Sequence, residues 1–216
     1  MPDGSPLVVF DLDGVIARTD TMAFLLQKQL LSHPLRAIAG ALPAVAWFAL
    51  HRYPRARPLL SRTLGRAALS GLTADQYRAL AVRVGTSLGT DPDCHIPEGV
   101  AAIRRHLLAG DDVVVTTGTE ALLSRTFLDS MGLSDVRLIA TTIRFGPRMV
   151  HYENHNLGPG KVGGFVDRDI DLFYTDSELD LPVARLSRHT VLVNPSPRLA
   201  GRFRSQIPSL EIVRWA

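Results

Sequence analysis

A single cysteine, Cys94, stands in the 216 residues, which excludes an internal disulfide and a cysteine-rich zinc site. It fits a reducing cytosol. The opening residues MPDGSP lack a basic stretch followed by an apolar core, so no secretory signal is expected and cytoplasmic residence is. The uncharged stretch Ala37 to Leu50 (AIAGALPAVAWFAL) holds 14 residues, short of the roughly 20 that a spanning helix needs. Pro43 is expected to break or kink it. Acids are scarce in one region: between Ile16 and Ser70, Asp20 is the sole acid against eight Lys and Arg. That segment carries +7 and the rest of the chain −4, an asymmetry suited to phosphate, lipid or another anionic partner. Arg202, Arg204 and Trp215 form no nucleic-acid-binding pattern, and none is expected to bind one. With 46% hydrophobic and 21% charged residues, the composition is that of a globular protein, not a disordered one.

Leu7 to Phe10 is a short apolar run ending at acids, which predicts a buried strand. Further strands are expected at Val113–Val115, Val136–Ala140, Leu172–Tyr174 and Thr190–Val193. Helices are expected between them, at Pro97–Ala109 with Gly110 as the stop and at Thr119–Met131 with a threonine cap. This alternation predicts an α/β fold with a Rossmann-like parallel sheet, whose ligands sit beyond the carboxyl ends of the strands. Roughly 80 residues without a strand pattern separate the first two strands. Thr21–His33 reads as a helix stopped by Pro34, and Thr73 with Gln76 forms a capping box for a helix to about Ser87. The chain thus divides into a core, 1–15 with 96–216, and an inserted α-helical cap, 16–95. A hairpin is expected around Gly146-Pro147. There His151 and His155 would share no helical face, which argues against a zinc pair. Asp167, Asp169 and Asp171 are expected in solvent.

Asp11 and Asp13 follow the first strand as Asp-Leu-Asp-Gly. Two acids one residue apart at a strand end can approach one ligand from different angles, one attacking while the other manages a proton. A solvated turn is the plain alternative. Asp176 and Asp180 follow a later strand as Thr-Asp-Ser-Glu-Leu-Asp, and Asp11 with Asp176 would offer Mg²⁺ the one or two carboxylates it usually takes. Asp176 as a helix N-cap is compatible with that. Thr117 and Gly118 end the second strand with a hydroxyl and free backbone N–H groups, an anion site. Lys161, in Gly-Pro-Gly-Lys, is either a phosphate clamp or a surface residue.

In order, VVFDLDGV, VVVTTGT, GPGKV and YTDSELD resemble the signature of the haloacid dehalogenase superfamily of phosphohydrolases. The resemblance spans nearly the whole chain outside the insert. It implies that Asp11 is the nucleophile and a metal ligand, and that Asp13 is the general acid/base and lends a backbone carbonyl to the metal. It further implies that Thr117, Gly118 and Lys161 hold the phosphoryl group. Asp176 completes the metal ligands, and Asp180 supports that shell. Because Mg²⁺ would keep Asp11 ionised, the pKa of Asp13 is expected above that of Asp11. Val15 replaces a frequent threonine without touching the chemistry. Receiver domains also combine acids with a lysine, but Asp13 and the Thr-Asp-Ser-Glu-Leu-Asp segment favour a hydrolase.

The insert, DTMAFLLQKQLLSHPLRAIAG, with NLGPGKV later, is similar to the phosphatidylglycerophosphatase C family and its phosphoserine-phosphatase-like relatives. This implies a phosphate-ester substrate, such as the lipids phosphatidylglycerophosphate or lysophosphatidate. The alternative is a phosphoserine- or sugar-phosphate-type small molecule. A non-catalytic module docking on membrane is a further reading. Ala37–Leu50 is either a buried cap helix or a segment lying peripherally on the inner face of an anionic membrane, with Trp47 and Phe48 at headgroup level and Arg36, His51, Arg52, Arg55 and Arg57 on lipid. Asp20 is either a substrate contact or a helix cap.

Overall fold

The computed structural model describes residues 4–32, 34–50, 53, 56–146, 149–166 and 168–215, with backbone alone at 34–37, 39, 47 and 48. His51, Arg52, Arg55, Pro147 and Asp167 lie outside the described residues. So do the side chains of Arg36, Ala37, Trp47 and Phe48.

Strand β1 (Leu7–Asp11) is buried along its whole length, as its unbroken apolar run requires. Val8 and Phe10 pack into one apolar layer, while Leu7 and Val9 pack into the other. β2 (Asp112–Glu120) and β5 (Ile170–Thr175) flank β1 in parallel register. The chain builds outward from β1 on one side through β2, β3 (Arg137–Phe145) and β4 (Val150–Asn154), and on the other through β5, β6 (Ser187–Val193) and β7 (Leu210–Val213). Among the described strand pairs of the sheet, β3–β4 alone is antiparallel, the hairpin that Gly146-Pro147 suggests. The direction of building therefore reverses at β1, a switch point that opens a crevice at the carboxyl ends of β1, β2 and β5.

Between β1 and β2 the chain forms α1 (Thr21–Leu31), α2 (Pro34–Leu50), α3 (Arg57–Leu69), α4 (Ala74–Thr90) and α5 (Pro97–Ala109). The Thr73–Gln76 capping box is present, and α4 runs past Ser87 to Thr90. α4 lies on α6 (Ala121–Ser130), a helix of the sheet's own layer. Gly85 and Gly89 make this approach feasible. A Cβ on Gly89 would stand 2.5 Å from the Phe127 carbonyl oxygen. α3 meets the hairpin through Arg62, whose Nε donates to His155 Nδ1 at 2.9 Å, and through Arg66, which donates to the Val150 carbonyl. His155 is thus a docking residue, and burial beside Arg62 lowers its pKa to about 4.

Several expectations need correction. Pro43 does not break α2, which continues through it from Pro34 to Leu50; a proline removes one N–H bond, and packing on α1 and α3 holds the helix across that gap. α1 stops at Leu31, short of His33, with Ser32 closing its last turn. α6 is capped by Glu120, whose carboxylate accepts from the N–H groups of Leu122 and Leu123, and Thr119 stays in β2. Ser177, not Asp176, caps the short 3₁₀ turn that follows β5. Asp171 is not simply solvated, since it accepts from the Leu7 N–H at 2.8 Å. The edge strand β7 was not expected from its four-residue sequence.

Candidate active site

Three strand ends supply the site. Asp11 closes β1, and its Oδ1 accepts from the Leu12 N–H at 2.8 Å and from Lys161 Nζ at 2.9 Å. Lys161 comes from a 3₁₀ segment (Gly158–Phe165) between β4 and β5, and it is 2% exposed. Its Nζ also reaches both oxygens of Asp180, at 2.8 and 3.0 Å. Asp180, buried, is fixed by the Thr175 hydroxyl at 2.8 Å, where β5 ends. Lys161 is therefore not a surface residue. It is the counter-charge that joins β1 to the loop after β5.

Asp176 stands in that same loop, directly against Gly14. A Cβ on Gly14 would fall 2.0 Å from Asp176 Oδ2, and Gly14 has φ +79°. Only glycine suits both the left-handed backbone and that approach. Burial raises the pKa of Asp176 to about 7, with Asp180 adding to the effect. Burial and Asp180 likewise push Asp11 well above the usual carboxylate range, against the pull of Lys161. Burial works to lower the pKa of Lys161, yet Asp11 and Asp180 outweigh it and raise the value above that of an ordinary lysine.

Asp13 faces different partners. Its Oδ1 accepts from the N–H of Thr21, the first residue of α1, and its Oδ2 accepts from the Thr119 hydroxyl, at 2.9 and 3.0 Å. Desolvation, with the Asp20 carboxylate nearby, raises its pKa to about 7. Both acids of the Asp-Leu-Asp pair are thus raised, not Asp13 alone, because Asp11 shares its buried space with other acids. Asp20 caps α1 by accepting from the Ala23 N–H at 2.8 Å, the helix-cap alternative. Thr117 is buried, and its hydroxyl accepts from the Thr119 N–H at 3.0 Å. Gly118, beside it, accepts from the Thr141 hydroxyl.

Sequence reasoning gave no site role to Thr21, Thr175 or Asn156, and made Thr119 a helix cap. Buried Asn156 places Nδ2 within 3.0 Å of the Thr116 hydroxyl and of the Thr117 and Ile139 carbonyls. It ties the end of β2 to the segment carrying Lys161. The four residues become visible only through contacts between distant parts of the chain. Among the described residues, no group of three or more His, Cys, Asp or Glu side chains is arranged as a metal cluster.

The sequence matches the family model of haloacid dehalogenase-like hydrolases over residues 8–185, which takes in every acid named above. The chain belongs to that family. No curated protein matches it significantly. Among solved structures, it is similar to a protein of unknown function from Bordetella pertussis Tohama I, at 20% identity and TM-score 0.68 over 97% of this chain and 98% of that one. Cytosolic 5'-nucleotidase IIIB bound to cytidine is similar at 12% identity and TM-score 0.63, covering 98% and 82%. A phospho-aspartyl intermediate analogue of phosphoserine phosphatase is similar at 11% identity and TM-score 0.53, covering 95% of this chain and 92% of that one. These likenesses establish a shared fold with this haloacid dehalogenase-like hydrolase.

Replacing Lys161 by Met leaves Asp11 and Asp180 buried without their shared cation. The variant should lose about 3–5 kcal/mol of unfolding free energy at neutral pH, as urea melts would report. Without the lysine, the folded-state pKa of Asp11, already raised, rises further above the unfolded value of about 3.9. The folded variant then binds more protons than its unfolded chain, so its deficit against wild type must shrink as pH falls from 7 toward 5. A deficit that does not change with pH contradicts this account.

Proposed function

We propose that the chain is a Mg²⁺-dependent phosphomonoester hydrolase that forms a transient aspartyl-phosphate on Asp11. One observation carries the reading: two carboxylates a residue apart are held by different partners, Asp11 by Lys161 and Asp13 by Thr21 and Thr119. Asp11 attacks phosphorus in line, and the bond from phosphorus to the leaving oxygen breaks. Asp13, with a pKa of about 7, gives its proton to that oxygen and is then able to take one from water. The water attacks phosphorus, the bond to Asp11 breaks, and inorganic phosphate leaves. Thr117, through its hydroxyl hydrogen, the Gly118 N–H and Lys161 hold the phosphoryl oxygens.

The donor set fits Mg²⁺. Asp11 and Asp176 would offer hard carboxylate oxygens, Gly14 leaves room beside Asp176, and the main-chain carbonyl of Asp13 would be a third ligand. Asp11 and Asp180, both buried, share one lysine and Asp176 stands half-buried beside them, which leaves an excess of negative charge for a cation to offset. Bound there, Mg²⁺ supplies the positive charge that keeps Asp11 ionised and attracts the phosphoryl group. Asp180 supports the arrangement by holding Lys161. On this reading residues 16–95 form the cap and 1–15 with 96–216 the core, with α4 anchoring the cap on α6.

A lipid phosphate such as phosphatidylglycerophosphate or lysophosphatidate is the substrate favoured by α2. Ile38, Leu42 and Val45 recur at helical spacing and are 73%, 78% and 64% exposed, which suits contact with an anionic membrane surface. No helix among the described residues is long and apolar enough to cross a membrane. A phosphoserine- or sugar-phosphate-type substrate is the alternative if that surface meets no lipid.

Asp11→Asn should lower turnover on para-nitrophenyl phosphate by about 10⁴ or more with the fold intact. Wild-type activity should vanish in EDTA and return with Mg²⁺. Activity above a tenth of wild type in the variant would sink the mechanism.

Asp13→Asn should slow alkyl phosphates far more than aryl phosphates, whose leaving group needs little protonation. Equal losses on both kinds would make Asp13 a structural residue.

Wild type should co-sediment with phosphatidylglycerol vesicles and much less with neutral ones, and less again at 0.5 M salt, where the Debye length is only about 4 Å. Leu42→Glu should weaken this binding. If wild type ignores the anionic vesicles, the small-molecule alternative takes over.

A further inference from the structure

Beside the acids lies a cavity of about 330 Å³ whose wall includes Asp176 and Ser177, Ser196, and three arginines, Arg57, Arg198 and Arg202. It is therefore continuous with the site through Asp176. Its arginines come from separate parts of the fold. Arg57 opens α3 in the insert, whereas Arg198 and Arg202 belong to α8 (Pro197–Arg204), which follows the short helix α7 (Leu181–Ala184) and β6. Arg202 is ion-paired with Glu178 on the same wall, which holds it in place. With Asp176 committed to the metal on the reading above and Glu178 offset by Arg202, the charged side chains that remain on the wall are Arg57 and Arg198.

Two of the arginines stand where they do nothing for their own helices. Arg57 and Arg198 lie in the first turns of α3 and α8, where the macrodipole disfavours a cation. Ser196 already caps α8 by accepting from the Leu199 N–H, so Arg198 is not needed to close that end. An anion between the two helix starts would complement both the arginines and the dipoles. Guanidinium forks suit phosphate, which accepts two parallel N–H bonds from each. The volume lies at the low end of small-molecule sites, enough for a short polar linker and one phosphate.

We propose that this cavity is a second anion subsite and that the leaving group of the substrate carries a second phosphate, held by Arg57, Arg198 and Arg202. The subsite rests on the hydrolase reading for its role, but not on the lipid one. A soluble bisphosphate and a lipid headgroup phosphodiester share this chemistry. Each places one phosphate on Asp11 and the other among the arginines. Because Arg57 belongs to the insert and Arg198 to the core, the second phosphate would bridge the two.

The test compares glycerol 1,3-bisphosphate with glycerol 3-phosphate, and lysophosphatidylglycerophosphate with lysophosphatidate in micelles, all with Mg²⁺. The second phosphate should raise kcat/KM by about tenfold or more, chiefly through KM. Arg198→Gln should erase most of that preference and Arg198→Lys should keep part of it. Arg83→Gln, on the exposed face of α4, should leave the ratio between substrates as in wild type. A preference confined to the micellar pair assigns the second phosphate to a lipid headgroup; one seen in both pairs assigns it to the shared chemistry. Calorimetric binding of the two glycerol phosphates and of the two micellar lipids to Asp11→Asn separates the two layers of inference. If nothing is hydrolysed but a second phosphate still tightens binding through Arg198, the subsite stands and the hydrolase reading falls. If the esters are hydrolysed with no preference for a second phosphate, or the preference survives Arg198→Gln, the subsite is overturned.

Discussion

Lys161 is the charge on which the rest of the site depends. Asp11 and Asp180 are buried with Asp176 half-buried beside them, and Lys161 reaches the first two. At an effective dielectric near 20, a contact at about 3 Å is worth roughly 5 kcal/mol of Coulomb attraction, of the same order as the several kcal/mol each ion loses on burial. One lysine therefore offsets the cost for two acids at best. Burial first, and Asp180 after it, make Asp11 and Asp176 hold their protons more tightly than usual, and the third acid leaves the pocket over-supplied with negative charge. A pocket in that state favours whatever brings positive charge to it. The same imbalance that makes the acids costly to fold makes them suited to a divalent cation.

Asp13 escapes this cluster because the chain turns. Gly14, in the left-handed region, lets the loop double back against Asp176, and Asp13 points instead to Thr119 on β2 and to the Thr21 N–H. Thr21 is the first residue of the insert's first helix, and its hydroxyl lies 3.0 Å from that of Thr119. Asp13 is thus shared between core and insert. Any shift of α1 away from the sheet would remove a hydrogen bond that favours the ionised form of Asp13. Position of the insert and proton affinity of the acid are therefore linked by one short contact.

The parts of the fold that were legible in the sequence are those set by local pattern. The buried run before Asp11, the Pro97 to Gly110 helix and the Thr73 capping box all follow from rules that act within a few residues. What was illegible depends on partners far along the chain. Nothing near Thr119 says that its hydroxyl serves Asp13 rather than a helix start, and nothing near Lys161 says that it is buried. Pro43 illustrates the opposite failure, a sound local rule overridden by packing. Arg202 forms no recognisable binding pattern in the sequence, and its place, with Arg198, beside the loop carrying Asp176 emerges only once α8 is built.

Charge at the scale of the whole chain follows the same logic. The insert is basic and the remainder acidic, so the surface an anionic ester meets first attracts it, while the carboxylates that must act on it repel it. Attraction outside and repulsion inside are compatible only if positive charge is also delivered at the point of reaction. Lys161 delivers one such charge from the core. Arg57 stands at the seam, at the start of an insert helix yet on the wall that holds Asp176. Binding energy gained there acts on the part of the ester that does not react, and it can offset the cost of pressing a phosphate against buried acids.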